Sequence, residues 1–134
     1  MTTPILVSTQ WLTPHLGDPS VRVIDLRERG YVQGHLPGAV WLDFGRVNRD
    51  GVLSCAPEFA YTMSRLGVGD EHQVVVYSDS LDVGDGLRFC SALRRYGHAE
   101  SWVLEGGFAA WVANRGVVER GEPDWTQTSD DRPV

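Results

Sequence analysis

The chain has 134 residues, of which 42% are hydrophobic and 22% charged, a composition that supports one well-filled core and is not that of a disordered chain. Its formal net charge is −6, which gives no basic surface for nucleic acid or for an anionic membrane. No apolar run is long enough to span a bilayer, and the start of the chain lacks the charged and apolar regions of a signal peptide. We therefore expect one cytoplasmic domain without nucleic-acid or membrane partners.

The chain alternates short apolar runs with amphipathic segments. Five runs of β-branched and aromatic residues predict strands: Ile5–Val7 at an edge, Val21–Leu26, Ala39–Phe44, Val74–Tyr77 and Trp102–Leu104. Apolar residues at three- and four-residue spacing predict helices between them: Thr9–Leu16, Pro57–Leu66, Leu87–Tyr96 and Phe108–Asn114. This order predicts a single α/β domain, residues 1–123, with an open, mainly parallel five-stranded sheet and helices on both faces. The polar residues 124–134 predict a flexible tail.

A candidate pocket lies after the fourth predicted strand. Val74–Tyr77 is apolar throughout, as in a strand covered on both faces, and the polar loop Ser78–Gly86 follows it. Open α/β folds bind ligands at this carboxyl end of the strands. Asp25 and Arg27 stand at the end of the second strand, which therefore also carries charge. The loop side of the pocket would be formed by Ser78, Asp79, Ser80, Asp82, Asp85, Gly86 and Arg88.

Five motifs in a fixed order resemble one known family. They are V-I-D-L-R at Val23–Arg27, Y-V-Q-G-H-L-P-G-A-V at Tyr31–Val40, V-V-V-Y at Val74–Tyr77, L-R-R-Y-G-H at Leu93–His98 and V-L-E-G-G-F-A-A-W at Val103–Trp111. With them the chain resembles a rhodanese-homology domain, of the sulfurtransferase family that shares its fold with dual-specificity phosphatases of the cell-cycle type. The resemblance spans roughly residues 5 to 123 and is specific as a set.

The resemblance implies a particular chemistry directly after V-V-V-Y. Active members have a cysteine there, which takes up sulfane sulfur as a persulfide, and a short loop of backbone N–H groups that binds anions and lowers the thiol pKa. This sequence has Ser78, whose hydroxyl forms no persulfide. Nine residues separate Ser78 from Arg88, which matches the arginine that usually closes the loop. In both respects the chain is similar to the non-catalytic N-terminal half of two-domain thiosulfate and mercaptopyruvate sulfurtransferases.

The charge of the loop also disfavours an anionic sulfur donor. Asp79, Asp82 and Asp85 place carboxylates where a donor would bind, and like charges about 6 Å apart repel by roughly 1 to 3 kcal/mol. Arg88 alone would not reverse this repulsion. A calcium or magnesium site is an alternative, but the spacing does not match an EF-hand and lacks its closing glutamate. We therefore predict a solvated acidic loop, with no metal and no cofactor.

The two cysteines are the remaining candidates for sulfur chemistry. Cys90 lies on the apolar stripe of a predicted helix and is interpreted as a buried, inert thiol, whereas Cys55 lies in a polar loop. Asp25 and Arg27 resemble the family's residues that rim the pocket, but they are most simply a strand-end ion pair that positions the loop. His35 and His98 are interpreted as structural, and Trp111 as a core anchor.

Two functions from different classes follow. The first is a catalytically silent rhodanese-like domain that acts as a binding or regulatory module, or as the non-catalytic half of a sulfurtransferase. The alternative is an active thiosulfate-type sulfurtransferase that carries sulfane sulfur on Cys90 or Cys55. A silent domain predicts a homodimer or another protein partner, bound through the face near Asp25, Arg27 and the Ser78–Gly86 loop.

Overall fold

The computed structural model describes residues 6–46, 48–49, 52–69, 71–79, 84–98 and 100–121. Seven strands lie in these ranges: β1 (Leu6–Val7), β2 (Val21–Asp25), β3 (Val40–Trp41), β4 (Asn48–Arg49), β5 (Val52–Leu53), β6 (Gln73–Tyr77) and β7 (Ser101–Leu104). The helices there are α1 (Thr9–Leu12), α2 (Ala56–Arg65), α3 (Gly84–Arg95) and α4 (Gly107–Ala113), with 3₁₀ turns at Thr13–His15 and Phe44–Arg46.

Five strands form one parallel sheet in the order β1-β7-β6-β2-β3, with β1 at an edge as predicted. The central strand β6 pairs with β2 on one side and β7 on the other, and its side chains from Val74 to Tyr77 are buried in clusters on the two faces of the sheet. The register places Asp25 opposite Tyr77, so both side chains project from the same face at the carboxyl end of the sheet. The predicted α/β fold is confirmed.

Alternation along the strands sends side chains to two hydrophobic clusters, one on each face of the sheet. On one face Val74 and Val76 pack with Phe59 and Met63 of α2 and with Phe89 and Leu93 of α3. On the other face Val75, Tyr77 and Leu104 pack with Leu12 of α1 and with Trp111 of α4. Trp111 is 1% exposed, which confirms it as a core residue.

The structure corrects several predicted boundaries. Helix α3 begins at Gly84 rather than Leu87, so the last part of the predicted loop is helical. The predicted strand Ala39–Phe44 is only two residues long and gives way to a 3₁₀ turn. The segment between the third predicted strand and the second predicted helix, for which no strand is predicted, contains the antiparallel pair β4 and β5. Predictions for Ile5, Ser80, Asp82 and the tail 124–134 fall outside the described residues.

Gly86 has a packing role in this arrangement. A Cβ atom at this position would lie 2.9 Å from Cγ1 of Val103 on β7, closer than such contacts permit. Glycine therefore allows α3 to approach the sheet closely at its first turn. None of the described helices has the length and apolar character that a membrane span requires.

Candidate functional site

The candidate site lies at the carboxyl end of the sheet, where β2 and β6 end side by side. Asp25 is the last residue of β2 and is fully buried, and Arg27, two residues later, is 5% exposed. Leu26 N–H donates to the Tyr77 carbonyl at 2.9 Å and Leu42 N–H donates to the Asp25 carbonyl at 3.0 Å. Backbone hydrogen bonds therefore fix the strand ends that carry both charged side chains.

Asp25 and Arg27 form a bidentate ion pair, which confirms the predicted pairing. Arg27 Nη2 donates to Asp25 Oδ2 at 2.7 Å, and Arg27 Nε lies 3.1 Å from both carboxylate oxygens. The backbone N–H of Arg27 also donates to Asp25 Oδ1 at 2.8 Å. Arg27 Nη2 donates further to the Gly34 carbonyl at 2.5 Å. The two residues predicted at the pocket rim thus lie below the surface, where each neutralises the charge of the other and supplies its hydrogen bonds.

Tyr77 is the third member of this cluster, and the sequence analysis assigned it only to a strand. Its hydroxyl donates to Asp25 Oδ2 at 2.8 Å and accepts from the backbone N–H of Leu36 at 3.2 Å. Burial, followed by the charge of Asp25, raises the pKa of Tyr77 far above its usual range. Tyr77 therefore stays protonated and serves as a fixed hydrogen-bond donor to the carboxylate. The only sign of this role in the sequence was the position of Tyr77, a polar residue at the end of a predicted buried strand.

Aromatic side chains enclose the guanidinium of Arg27. It lies 4.0 Å from the ring centroid of Phe108 and 5.6 Å from that of Tyr77, distances typical of cation–π contacts. Burial acts to lower the pKa of Arg27, but the hydrogen bond and charge of Asp25 outweigh it and raise the pKa. Trp41 Nε1 donates to the Arg27 carbonyl at 2.7 Å. Arg27 is therefore a permanently charged group held in place from several sides.

Ser78 and Asp79 start the predicted loop and are attached to α4. The Ser78 carbonyl accepts from Phe108 N–H, and the Asp79 carbonyl accepts from Ala109 N–H, both at 2.9 Å. These bonds satisfy N–H groups of the first turn of α4. Ser78 is half-buried and Asp79 is exposed. The structure therefore places Ser78 directly at the end of β6, between the Asp25 cluster and α4.

The predicted loop residues Asp85, Gly86 and Arg88 lie on α3. Arg88 Nη1 lies 2.9 Å from Asp85 Oδ1, with side chains that are 63% and 51% exposed. This ion pair joins two residues of one helix turn and faces solvent. Arg88 is thus directed to its own helix, whereas Gly86 is buried against the sheet.

Neither cysteine lies at the end of β6. Cys90 is fully buried on α3, and burial raises the pKa of its thiol to about 11. Cys55 is exposed at the N-cap position of α2, where its Sγ donates to Glu58 Oε1 at 3.1 Å. The two thiols therefore differ in accessibility, as the sequence analysis predicted.

The described ranges contain no group of three or more His, Cys, Asp or Glu residues placed to bind a metal ion. Two predicted structural histidines make fixed contacts to backbone carbonyls. His98 Nε2 lies 2.7 Å from the His72 carbonyl, and His35 Nδ1 lies 2.7 Å from the Tyr31 carbonyl. Both contacts are consistent with the predicted structural role.

A parallel sheet with helices on both faces and a polar cluster at its carboxyl end places the chain in the class of open α/β domains. A family model described as the rhodanese-like domain matches residues 8–114. The chain belongs to the rhodanese-like domain family.

Three comparisons show what the chain is similar to. It is 35% identical to the sulfur carrier protein TtuD of Thermus thermophilus over 92% of this chain and 42% of the relative. It is 28% identical to the 3-mercaptopyruvate sulfurtransferase of Escherichia coli K12 over 90% of this chain and 48% of the relative. The crystal structure of SseA from Escherichia coli superposes with a TM-score of 0.78 at 27% identity, over 92% of this chain and 56% of that one. The chain thus spans less than half the length of these two curated relatives.

Proposed function

We propose that this rhodanese-like domain is catalytically silent and acts as a binding or regulatory module, or as the non-catalytic half of a sulfurtransferase. The observation that carries the proposal is Ser78 directly after β6. The family resemblance places the persulfide-forming cysteine at this position, and a hydroxyl oxygen cannot replace the thiolate sulfur as carrier of a second sulfur atom.

The described cysteines support this proposal. Cys90 is fully buried, and a thiol with a pKa of about 11 is almost wholly protonated at neutral pH. A buried, protonated thiol neither meets a sulfur donor nor attacks one. Cys55 lies at the start of α2, where its thiol donates to the carboxylate of Glu58.

The cations near the site also support the proposal. A donor such as thiosulfate is an anion, and it needs positive charge or free N–H groups to bind. Arg27 is buried against Asp25, and Arg88 is paired with Asp85 on its own helix. Asp79 adds a further exposed carboxylate next to Ser78. An anionic donor would therefore meet neutralised cations and an additional negative charge.

The length of the relatives favours a protein partner as part of this function. The chain matches between 37% and 48% of each of eight curated relatives, so these relatives have room for a second domain. We propose that this domain pairs with a second copy or another protein in the cytoplasm, through the face that includes Asp79 and the start of α3. Light scattering of the purified chain at micromolar concentration tests the pairing with a second copy, and a strict monomer contradicts it.

Sulfur transfer from thiosulfate to cyanide tests the silent-domain proposal. We expect no thiocyanate above the buffer rate from the purified chain. Turnover that disappears in Cys55→Ala or Cys90→Ala contradicts the proposal and supports the alternative enzyme. Of these two thiols, the exposed Cys55 is the one that a donor can reach.

The variant Ser78→Cys sharpens the same test. It places a thiol at the end of β6 but leaves Asp79, Asp85 and the paired Arg88 unchanged. We expect this single variant to stay far below an active sulfurtransferase measured in parallel, because the two described arginines near the site, Arg27 and Arg88, are already paired with carboxylates. Strong activity would show that the missing cysteine is the only obstacle.

A further inference from the structure

A cavity of about 300 Å³ lies between α2 and the C-terminal end of α3, and we call it the α2–α3 cavity. Its wall includes Gly69 and His98, which shortly precede β6 and β7. Ser78 instead follows the last residue of β6. Because these strands run parallel, the cavity lies at the amino end of the sheet, away from the Asp25 cluster at the carboxyl end. The candidate site at Ser78 therefore does not include it.

Apolar side chains form most of the wall of the α2–α3 cavity. They come from one face of α2, which contributes Phe59, Ala60 and Met63, and from Leu93 on α3. Phe59 also packs against the ring of Tyr96, with centroids 5.1 Å apart. The described residues of the wall include no Asp, Glu, Lys or Arg. The volume is at the lower end for sites that bind small organic molecules, and such a wall favours an uncharged, largely apolar one.

Hydrogen bonds fix the wall of the cavity from two sides. The Tyr96 hydroxyl donates to the Ser54 carbonyl at 2.7 Å, which ties the end of α3 to the segment before α2. Gly69 N–H donates to His72 Nδ1 at 2.7 Å, and the His72 carbonyl lies 2.7 Å from His98 Nε2. The wall is thus held by the protein's own contacts, so that binding requires little further ordering of the chain.

The same bonds make acceptors of two polar side chains on the wall. A carbonyl only accepts, so His98 Nε2 carries the proton of the neutral ring and Nδ1 is an acceptor. The Tyr96 hydroxyl uses its one proton for the Ser54 carbonyl, and its oxygen can accept a further bond. A ligand that matches this wall therefore brings an N–H or O–H donor. The rings of Phe59 and Tyr96 and the sulfur of Met63 favour an aromatic ring beside that donor.

We propose that the α2–α3 cavity is a binding site for an uncharged aromatic molecule that carries an N–H or O–H donor, such as an indole or a phenol. The apolar wall takes up the ring, and the acceptors of Tyr96 and His98 orient the donor. Thiosulfate has neither a ring nor a donor, so this site is separate from sulfur chemistry at the end of β6. The inference goes beyond the silent-domain proposal and holds whether or not the domain transfers sulfur.

Titration of the purified chain with indole, followed through the backbone N–H signals in NMR spectra, tests the site. Benzofuran is the matched probe, since it has the same ring shape with an oxygen in place of the N–H. We expect saturable shifts at Gly69 and His98 and none at Leu26 and Ser78. Indole should bind about two- to tenfold more tightly than benzofuran, the effect of one hydrogen bond.

The variant Ala60→Leu places a larger side chain on the wall at an exposed position of α2, so it should fold and lose the saturable binding of indole. The matched control is Ala109→Leu, because Ala109 is an exposed alanine of α4, which packs on the other face of the sheet. The absence of saturable shifts with indole, shifts centred on Leu26 and Ser78, or unchanged binding in Ala60→Leu overturns the site. Equal or tighter binding of benzofuran overturns the ligand class.

Discussion

The domain contains two Asp–Arg ion pairs of similar geometry in opposite surroundings. Asp25 and Arg27 approach to 2.7 Å with side chains that are 0% and 5% exposed, whereas Asp85 and Arg88 approach to 2.9 Å with side chains more than half exposed. The buried pair has additional partners in Tyr77 and Gly34. The distance between the charged groups alone therefore does not show how much an ion pair contributes to stability.

The difference between the two pairs comes from solvent. Removal of one partner from the buried pair leaves a charge in the protein interior, which costs far more than the attraction between exposed groups contributes. Water and salt screen the exposed pair, and two flexible side chains must be ordered to form it. The buried pair is thus expected to govern stability at the strand ends, and the exposed pair to be nearly neutral.

The largest effect is expected for Asp25→Ala. This change leaves the guanidinium of Arg27 buried without its carboxylate and should lower the free energy of unfolding by about 3 to 5 kcal/mol. Urea denaturation, followed by tryptophan fluorescence, measures the change. A loss below about 1 kcal/mol would mean that water reaches Arg27 freely, which contradicts its enclosure.

Tyr77→Phe sharpens the account of the buried cluster. The variant keeps the ring but removes the hydroxyl, which leaves Asp25 Oδ2 with one donor fewer and Leu36 N–H without its acceptor. We expect a loss of about 1 to 3 kcal/mol in the same denaturation experiment. Tyr61→Phe on α2 is the matched control, and because Tyr61 is 46% exposed the change should affect stability much less. Equal effects of the two variants would contradict the assigned role of Tyr77.

The buried thiol of Cys90 should make the stability of the domain depend on pH. Burial raises the pKa of Cys90 from its usual 9.0 to about 11, so the folded protein keeps a proton that the unfolded chain releases first. The contribution of this protonated thiol to the free energy of unfolding is complete below pH 9 and is lost as the pH rises towards 11. At pH 10 the loss is about 1 kcal/mol. Denaturation midpoints across this range measure the loss. Cys90→Ala should show a shallower decline than Cys55→Ala, and equal slopes would contradict the assignment.

The smallest effect is expected for Arg88→Ala. Its ion pair with Asp85 faces solvent, so stability should stay within about 0.5 kcal/mol of the unaltered domain and depend little on salt. A loss comparable to that of Asp25→Ala would show that Arg88 has a partner beyond its own helix turn.

Much of the fold could be predicted from the sequence because burial leaves a local pattern. Val74–Tyr77 reads as a strand covered on both faces, and it is the central strand β6. The apolar spacing from Leu87 onward predicted a helix, but its start was wrong by three residues, since Gly84 and Asp85 carry no apolar signal. The strands β4 and β5 were missed because each has only two residues in a polar segment.

The site was less predictable because its key contacts join residues far apart in the chain. The ion pair of Asp25 and Arg27 could be predicted because the two residues are close in the sequence. The hydrogen bond from Tyr77 to Asp25 instead depends on the register of two strands. The bridge between His35 and Glu119 joins a turn to a segment without periodic apolar residues. Such contacts leave no local pattern, and only the folded chain shows them.

Intact-mass spectrometry after incubation with a sulfane sulfur donor tests the silent-domain proposal most directly, because it detects a sulfur carrier even without turnover. The purified, reduced chain is treated with thiosulfate and with 3-mercaptopyruvate, and Ser78→Cys is treated in parallel. We predict that the native chain gains no sulfur atom with either donor under native conditions. An added sulfur atom on the native chain, located on Cys55 or Cys90 and labile to cyanide, would contradict the account and assign the domain to the active sulfur carriers.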